Sequence, residues 1–210
     1  MVGYSSNYFN FPLYLLFGGR MLIALTGYKG SGKDTVASYM IKNWGFRRYA
    51  FADPLKKGIQ SFFGWSDQEV NDPVMKEQID DYWGISPRQA MQWVGTEAMR
   101  EGLASAFPRF KIKTENRIWI KGFEKFYSQH PHENIVISDC RFQNEIDAVL
   151  ALEGKIICIK RSNQFPLAFD HKSEDMRVLS GIHEVVLNDL NKEELFSKIN
   201  KLEVFRDFTA

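Results

Sequence analysis

The stretch Gly27-Tyr28-Lys29-Gly30-Ser31-Gly32-Lys33-Asp34-Thr35 carries the G-x-x-x-x-G-K spacing of a phosphate-binding loop. An apolar run, residues 21–26, stands immediately before it, and a helical pattern, 35–41, follows. Strand, glycine-rich turn and helix start in that order let backbone N–H groups and the positive end of the helix dipole surround a polyphosphate. Gly30, Ser31, Gly32, Lys33, Asp34 and Thr35 are therefore the candidate contacts to a nucleotide, with Lys33 reaching its outer phosphates. Position 34 departs from the usual pattern, in which Ser or Thr offers a hydroxyl to Mg²⁺. A carboxylate there either binds Mg²⁺ through water or favours the helix start electrostatically; the expectation is the water-linked Mg²⁺. Thr35 then offers its hydroxyl to a phosphate one position on.

A second constellation begins at Asp139, at the end of the apolar run 134–138. Parallel sheets present their chemistry at the carboxyl ends of strands. A carboxylate in that place holds Mg²⁺ or a substrate group, as a Walker-B residue does. Arg141 and Glu145 are four apart, so on the expected helix 141–152 they share a face directed at the strand end. The plain alternative is a capped helix with a surface ion pair, which is common and weakly stabilising. A phosphate loop in the same sheet favours the functional reading.

The elements that must position these residues alternate. Strands are expected at about 21–26, 134–139, 155–160 and 184–187, with a short extended piece at 47–51. Helices are expected at about 33–43, 141–152 and 191–203, and the middle, 54–128, reads as largely helical. Within it Ser86 can cap a helix whose first position is Pro87. Short apolar strands separated by helices imply a parallel sheet buried on both faces. The expected fold class is thus α/β, a three-layer P-loop NTPase fold. It has about five parallel strands flanked by helices, with a helical substrate arm and a short lid. One domain over 21–210, with the arm at 54–128 and the lid at 161–176, fits the length of 210 residues.

Composition narrows the partners. The formal net charge is +1, from 27 basic and 26 acidic residues, which gives no general drive toward nucleic acid or membranes. No apolar run approaches a membrane span. Cys140 and Cys158 are the two cysteines, and both are expected reduced. His130, His132 and His183 lack metal-ligand spacing. Residues 1–20 are aromatic and apolar, without the basic start or the cleavage site of a signal peptide, and are expected to be an extension outside the core.

Taken together, Gly27–Thr35, Ala52-Asp53-Pro54-Leu55-Lys56, Ser86-Pro87-Arg88-Gln89-Ala90-Met91-Gln92-Trp93-Val94-Gly95-Thr96-Glu97, Trp119, Asp139-Cys140-Arg141-Phe142-Gln143-Asn144-Glu145 and His171-Lys172-Ser173-Glu174 occur in an order that resembles one family. It is the deoxynucleoside monophosphate kinase family of tailed bacteriophages and related viruses. The likeness covers about 21–205, and the G-K-D form of the loop is usual there. The resemblance implies ATP and Mg²⁺ as cofactors and a deoxynucleoside monophosphate as the substrate partner. Its oligomeric state is open, a homodimer among the choices, and its implied location is cytoplasmic, in the host if the source is viral.

Bringing two anions together in line needs cations beyond the loop lysine. With the resemblance, Lys29, Lys56 and Arg88 are candidates for the acceptor phosphate. Arg141 can grip a phosphate bidentately, and Arg161, directly after a strand, can meet the transferring phosphoryl group. The acceptor site is expected to include Gly95, Thr96, Trp119, Asp139 and Glu145, with Trp93 a weaker wall candidate. Asp34, through water, and Asp139 are the metal candidates. His171 reads as an anchor of the lid rather than a base. Two alternatives stand beside the family reading: a P-loop kinase of another small phosphorylated acceptor, and a non-catalytic nucleotide-binding module.

Overall fold

The apolar run before the glycine-rich loop is the centre of the sheet. In the computed structural model, which describes residues 20–107, 109, 117–163 and 179–206, strand β1 (Leu22–Thr26) is buried along its whole length. It lies between β3 (Ile135–Ile137) and β4 (Lys155–Lys160), with β2 (Arg47–Tyr49) and β5 (Glu184–Leu187) at the edges. The order is β2-β3-β1-β4-β5 and every pairing is parallel. Parallel neighbours need crossovers rather than tight hairpins. Helix α1 (Lys33–Trp44) supplies the first, and α7 (Gln143–Leu150) links β3 to β4. Residues 1–19, most of the 161–176 segment, and with it His171, Ser173 and Glu174, lie outside the described residues.

Alternation along β1 feeds two cores. Ile23 and Leu25 pack with Val36, Ala37 and Met40 of α1 and with Leu195 and Ile199 of α8 (Lys192–Asn200). Leu22 and Ala24 face the other way, toward Phe123 and Tyr127 of α6 (Ile118–Gln129) and Ile146 and Val149 of α7. This is the three-layer arrangement that an all-parallel sheet requires, because both its faces must be covered.

Between β2 and β3 the chain is helical in short pieces: α2 (Ala52–Phe63), α3 (Asp67–Asn71), a 3₁₀ turn (Met75–Glu77) and α4 (Pro87–Gln92). The last continues without a break as a π-helical stretch, Trp93–Gly102, into α5 (Leu103–Ala106). Capping explains the starts. The Ser66 and Ser86 hydroxyls accept the N–H groups of Glu69 and Gln89, whose side chains reach back to the serine N–H groups. These pieces share a small core of their own, Ile59, Trp65, Val70 and Ala90. Gly95 lets the π-helical stretch close on α2, since a Cβ there would stand 2.7 Å from Leu55 Cδ2.

The sheet core carries the stability. Phe123, fully buried, should cost about 3–5 kcal/mol when replaced by Ala. Phe62→Ala, at a side chain 68% exposed, should leave the urea midpoint almost unchanged. Equilibrium denaturation of the two variants checks the contrast.

Candidate active site

The loop geometry follows from three glycines and one asparagine. Gly27 leaves β1 with φ 143°, and a Cβ there would come 2.1 Å from the Ile159 carbonyl oxygen of β4. Gly30 and Gly32 also take positive φ, 75° and 106°, where side chains are disfavoured. From the far side Asn188, just after β5, donates its Nδ2–H to the Ser31 carbonyl at 2.8 Å. A Cβ on Gly32 would stand 2.4 Å from that same Nδ2. Gly32 is the N-cap of α1 and brings no side-chain cap, so the helix start keeps N–H groups for an anion. Lys33 is buried and its Nζ donates to the carbonyls of Gly27 (2.6 Å) and Tyr28 (2.8 Å). Among the described residues the buried Ser31 hydroxyl has no hydrogen-bond partner.

Asp139 follows the neighbouring strand β3. Its Oδ1 accepts the Phe51 N–H at 2.8 Å and its Oδ2 the Ala52 N–H at 2.9 Å, so the carboxylate ties the start of α2 to the sheet. Burial pushes its carboxyl above the usual range, against the pull of these two N–H groups and of Arg141. Each oxygen retains a second lone pair. The carboxylate expected in the Walker-B place is thus also engaged by backbone.

A cavity of about 430 Å³ opens between the loop, α2, the π-helical stretch and the start of α7. Of the expected residues, Lys29, Gly30, Lys33, Asp34, Lys56 and Arg88 line it. So do Gly95, Thr96, Trp119, Asp139, Arg141 and Glu145. Ser31, Gly32 and Thr35 are not part of the lining, and neither is Arg161, which is exposed just beyond β4. Trp93 is 62% exposed and outside the cavity. Trp119 is a wall residue whose Nε1–H donates to the Gly95 carbonyl at 3.1 Å. Sequence reading missed Arg48, Lys76 and Arg100, all in the lining, and Asn188 behind the loop. No spacing marks them, because each reaches the site through tertiary placement.

Glu145 does something other than expected. The helix begins at Gln143, not at 141, because Phe142 is extended (φ −108°, ψ 149°). Arg141 and Glu145 are therefore not an i, i+4 pair on one helix. Glu145 Oε2 instead accepts the backbone N–H groups of Arg141 (2.9 Å) and Phe142 (3.2 Å). Oε1 takes the Arg100 guanidinium at 2.6 Å; the Glu145 side chain is buried and that of Arg100 largely so. Arg100 also lies 4.0 Å over the Phe142 ring. Burial pushes the Glu145 carboxyl up, and Arg100 opposes it. A carboxylate so engaged holds a wall in place and has little capacity left for a sugar hydroxyl.

The cations form a group. Lys29 Nζ is 3.0 Å from Glu77 Oε1, and Arg88 Nε is 3.5 Å from the same oxygen. Lys56 Nζ donates to Asn71 Oδ1 at 2.7 Å. Burial, and then Lys29, Arg88 and Lys56, hold the Lys76 ammonium below the ordinary lysine range. Asp34 is exposed in the first turn of α1 and lines the same cavity. Among the described residues no three His, Cys, Asp or Glu side chains cluster as a metal cage. Among the described residues no helix is long and apolar enough to cross a membrane, and Cys140 and Cys158 are buried and unpaired.

A glycine-rich loop closing the central strand of a β2-β3-β1-β4-β5 parallel sheet, with a carboxylate ending the adjacent strand, defines a protein of the P-loop nucleotide-binding class. Residues 21–79 match the family model described as deoxynucleotide monophosphate kinase. A relative from Acanthamoeba polyphaga mimivirus, bearing the provisional name deoxynucleotide monophosphate kinase, is 40% identical over 187 residues, which is 85% of this chain and 94% of the relative. The deoxynucleotide monophosphate kinase of Enterobacteria phage T4 is 25% identical over 87% of this chain and 99% of its own length. Among solved structures, an unliganded sugar kinase from a Janibacter species aligns over 91% of this chain and 99% of its own, at 11% identity and a TM-score of 0.45. The chain belongs to the deoxynucleotide monophosphate kinase family.

Breaking the buried pair tests its role as a brace. Arg100→Ala should destabilise by about 3–5 kcal/mol, since it strands a buried carboxylate. Combining Arg100→Met with Glu145→Gln should recover part of that loss, as read by urea denaturation.

Proposed function

We propose that the protein transfers the γ-phosphoryl group of ATP to the phosphate of a deoxynucleoside monophosphate, giving ADP and the deoxynucleoside diphosphate. One observation carries this reading: the phosphate loop with Lys33 and the separate cations Lys56 and Arg88 open onto a single cavity. A site for one nucleotide needs only the first group, whereas transfer between two phosphates needs both. Membership of the family supports the same reaction.

The donor's phosphates lie on the loop, against the N–H groups at the start of α1. Lys33 exchanges its bonds to the Gly27 and Tyr28 carbonyls for the outer phosphates. The acceptor's phosphate lies among Lys29, Lys56, Arg88 and Arg141, and its base lies against Trp119 and Thr96 beside Gly95. An oxygen of that phosphate attacks the γ-phosphorus; the new P–O bond forms as the bond to the β–γ bridging oxygen breaks, and ADP takes the electron pair. The attacking phosphate is already an anion, so no strong general base is required. Mg²⁺ bound to the donor's phosphates, held by Asp34 through water and by the remaining lone pairs of Asp139, would neutralise charge as it builds on the leaving group. Lys33 and Arg141 stabilise the transferring group. Arg161, assigned to transfer from its position directly after β4, stands outside the cavity.

The test is phosphoryl transfer from ATP with Mg²⁺ across all deoxy- and ribonucleoside monophosphates. Wild-type protein should form at least one deoxynucleoside diphosphate, and Lys33→Ala should lower kcat by about 10²-fold or more. Failure to turn over any nucleoside monophosphate would sink the proposal.

A further inference from the structure

The 3₁₀ turn Met75–Glu77 brings two charged side chains to the cation group from an element with no phosphate-loop or strand-end signature. It is a well-held turn. Asp72 Oδ1 accepts the N–H groups of Val74 (2.8 Å) and Met75 (2.9 Å), and the N–H groups of Lys76 and Glu77 donate to the Asp72 and Val74 carbonyls. Lys76 lines the cavity and is partly buried. Glu77 does not line it, yet its Oε1 lies 3.0 Å from Lys29 Nζ and 3.5 Å from Arg88 Nε.

Lys29, Lys56, Lys76 and Arg88 thus converge from four elements: the loop, α2, the turn and α4. Lysines on a solvated face spread apart and keep their hydration. Here Lys76 gives up part of its hydration in the company of three other cations. Like charges gathered at a concave surface raise the local potential and favour an anion there. Glu77 supplies a negative charge shared by two of the four. That carboxylate stands outside the lining while it holds Lys29 and Arg88.

We propose that this turn completes the acceptor-phosphate subsite, with Lys76 a direct ligand of the monophosphate's phosphate and Glu77 the positioning residue for Lys29 and Arg88. The inference rests on the reading of the cavity as a deoxynucleoside monophosphate site. Its test is binding rather than turnover, so the two can fail separately.

Calorimetric affinities are measured for the four common deoxynucleoside monophosphates, the corresponding deoxynucleosides, and ADP. The proteins are wild type, Lys76→Met, Lys76→Arg and Glu77→Gln. Lys76→Met should weaken the monophosphate by about tenfold or more, through loss of a charge-assisted contact. Its affinity for ADP and for the unphosphorylated nucleoside should stay within about twofold of wild type, and Lys76→Arg should restore most of the loss. Glu77→Gln should also weaken the monophosphate selectively, by about three- to tenfold. Equal losses for nucleoside and monophosphate, or an unchanged monophosphate affinity in Lys76→Met, would overturn the ligand role. Tighter monophosphate binding by Glu77→Gln would overturn the positioning role, since Glu77 would then compete with phosphate. If wild type binds no monophosphate the subsite is refuted. Selective binding without any transfer from ATP would refute the kinase reading and leave the subsite standing.

Discussion

Repulsion among like charges is the constraint around which this site is built. Eight basic side chains line one cavity, against three carboxylates, in a chain whose formal net charge is only +1. The fold separates charge rather than accumulating it. It does so by pairing cations with acids, two of which, Asp53 and Glu77, stand outside the lining. Arg48 is held by Asp53 at 2.6 Å, Lys29 and Arg88 share Glu77, and Arg100 is fixed by Glu145. A cation so paired keeps its orientation, loses some of its conformational freedom before any ligand arrives, and still presents positive charge to the cavity.

That arrangement works only if the walls cannot drift, and the walls are of unequal strength. The loop and the strand ends belong to the sheet, whose two cores are fully buried. The pieces between β2 and β3 have a much smaller core of their own. Among the polar ties that join them to the rest are Asp139 to the N–H groups of Phe51 and Ala52, Arg100 to Glu145, and Trp119 to the Gly95 carbonyl. Burying such groups is expensive, and an apolar wall of the same shape would serve stability as well or better. A carboxylate that accepts two specific N–H groups fixes direction as well as distance. Direction is what in-line transfer between two bound phosphates demands.

The parts legible in the sequence are those whose signal is contiguous. Gly27–Thr35 sets its own shape through positive-φ glycines and the helix start, so the spacing alone reveals it. Strands β1, β3 and β4 read as apolar runs because both faces are buried, and Ser86 with Pro87 announces α4. The illegible parts depend on partners far along the chain. Asn188 meets Ser31 across 157 positions, and Arg100 meets Glu145 across 45. The error at Arg141 has the same root. Spacing predicted a shared helical face, but the Glu145 side chain turns back to cap the chain at Phe142, which starts the helix two residues later. Trp93, the weaker wall candidate, shows the limit of residue type, since it is largely exposed and outside the cavity.

The acidic residue at position 34 fits the same charge economy. A serine or threonine hydroxyl there would give Mg²⁺ a neutral ligand and leave the surrounding cations unbalanced. Asp34 puts a negative charge at the second position of α1, where the helix dipole favours it, and on the cavity surface facing the basic group. On the proposed reading it draws Mg²⁺ to the donor side while the cations gather the acceptor. Asp34, Asp139 and Arg48 line the same cavity, and both carboxylates favour the charged Arg48 guanidinium. Hydroxyl-to-carboxylate replacement is then no weakening of a phosphate loop. On the proposed reading, in a site this basic, it separates the place of the metal from the place of the second phosphate.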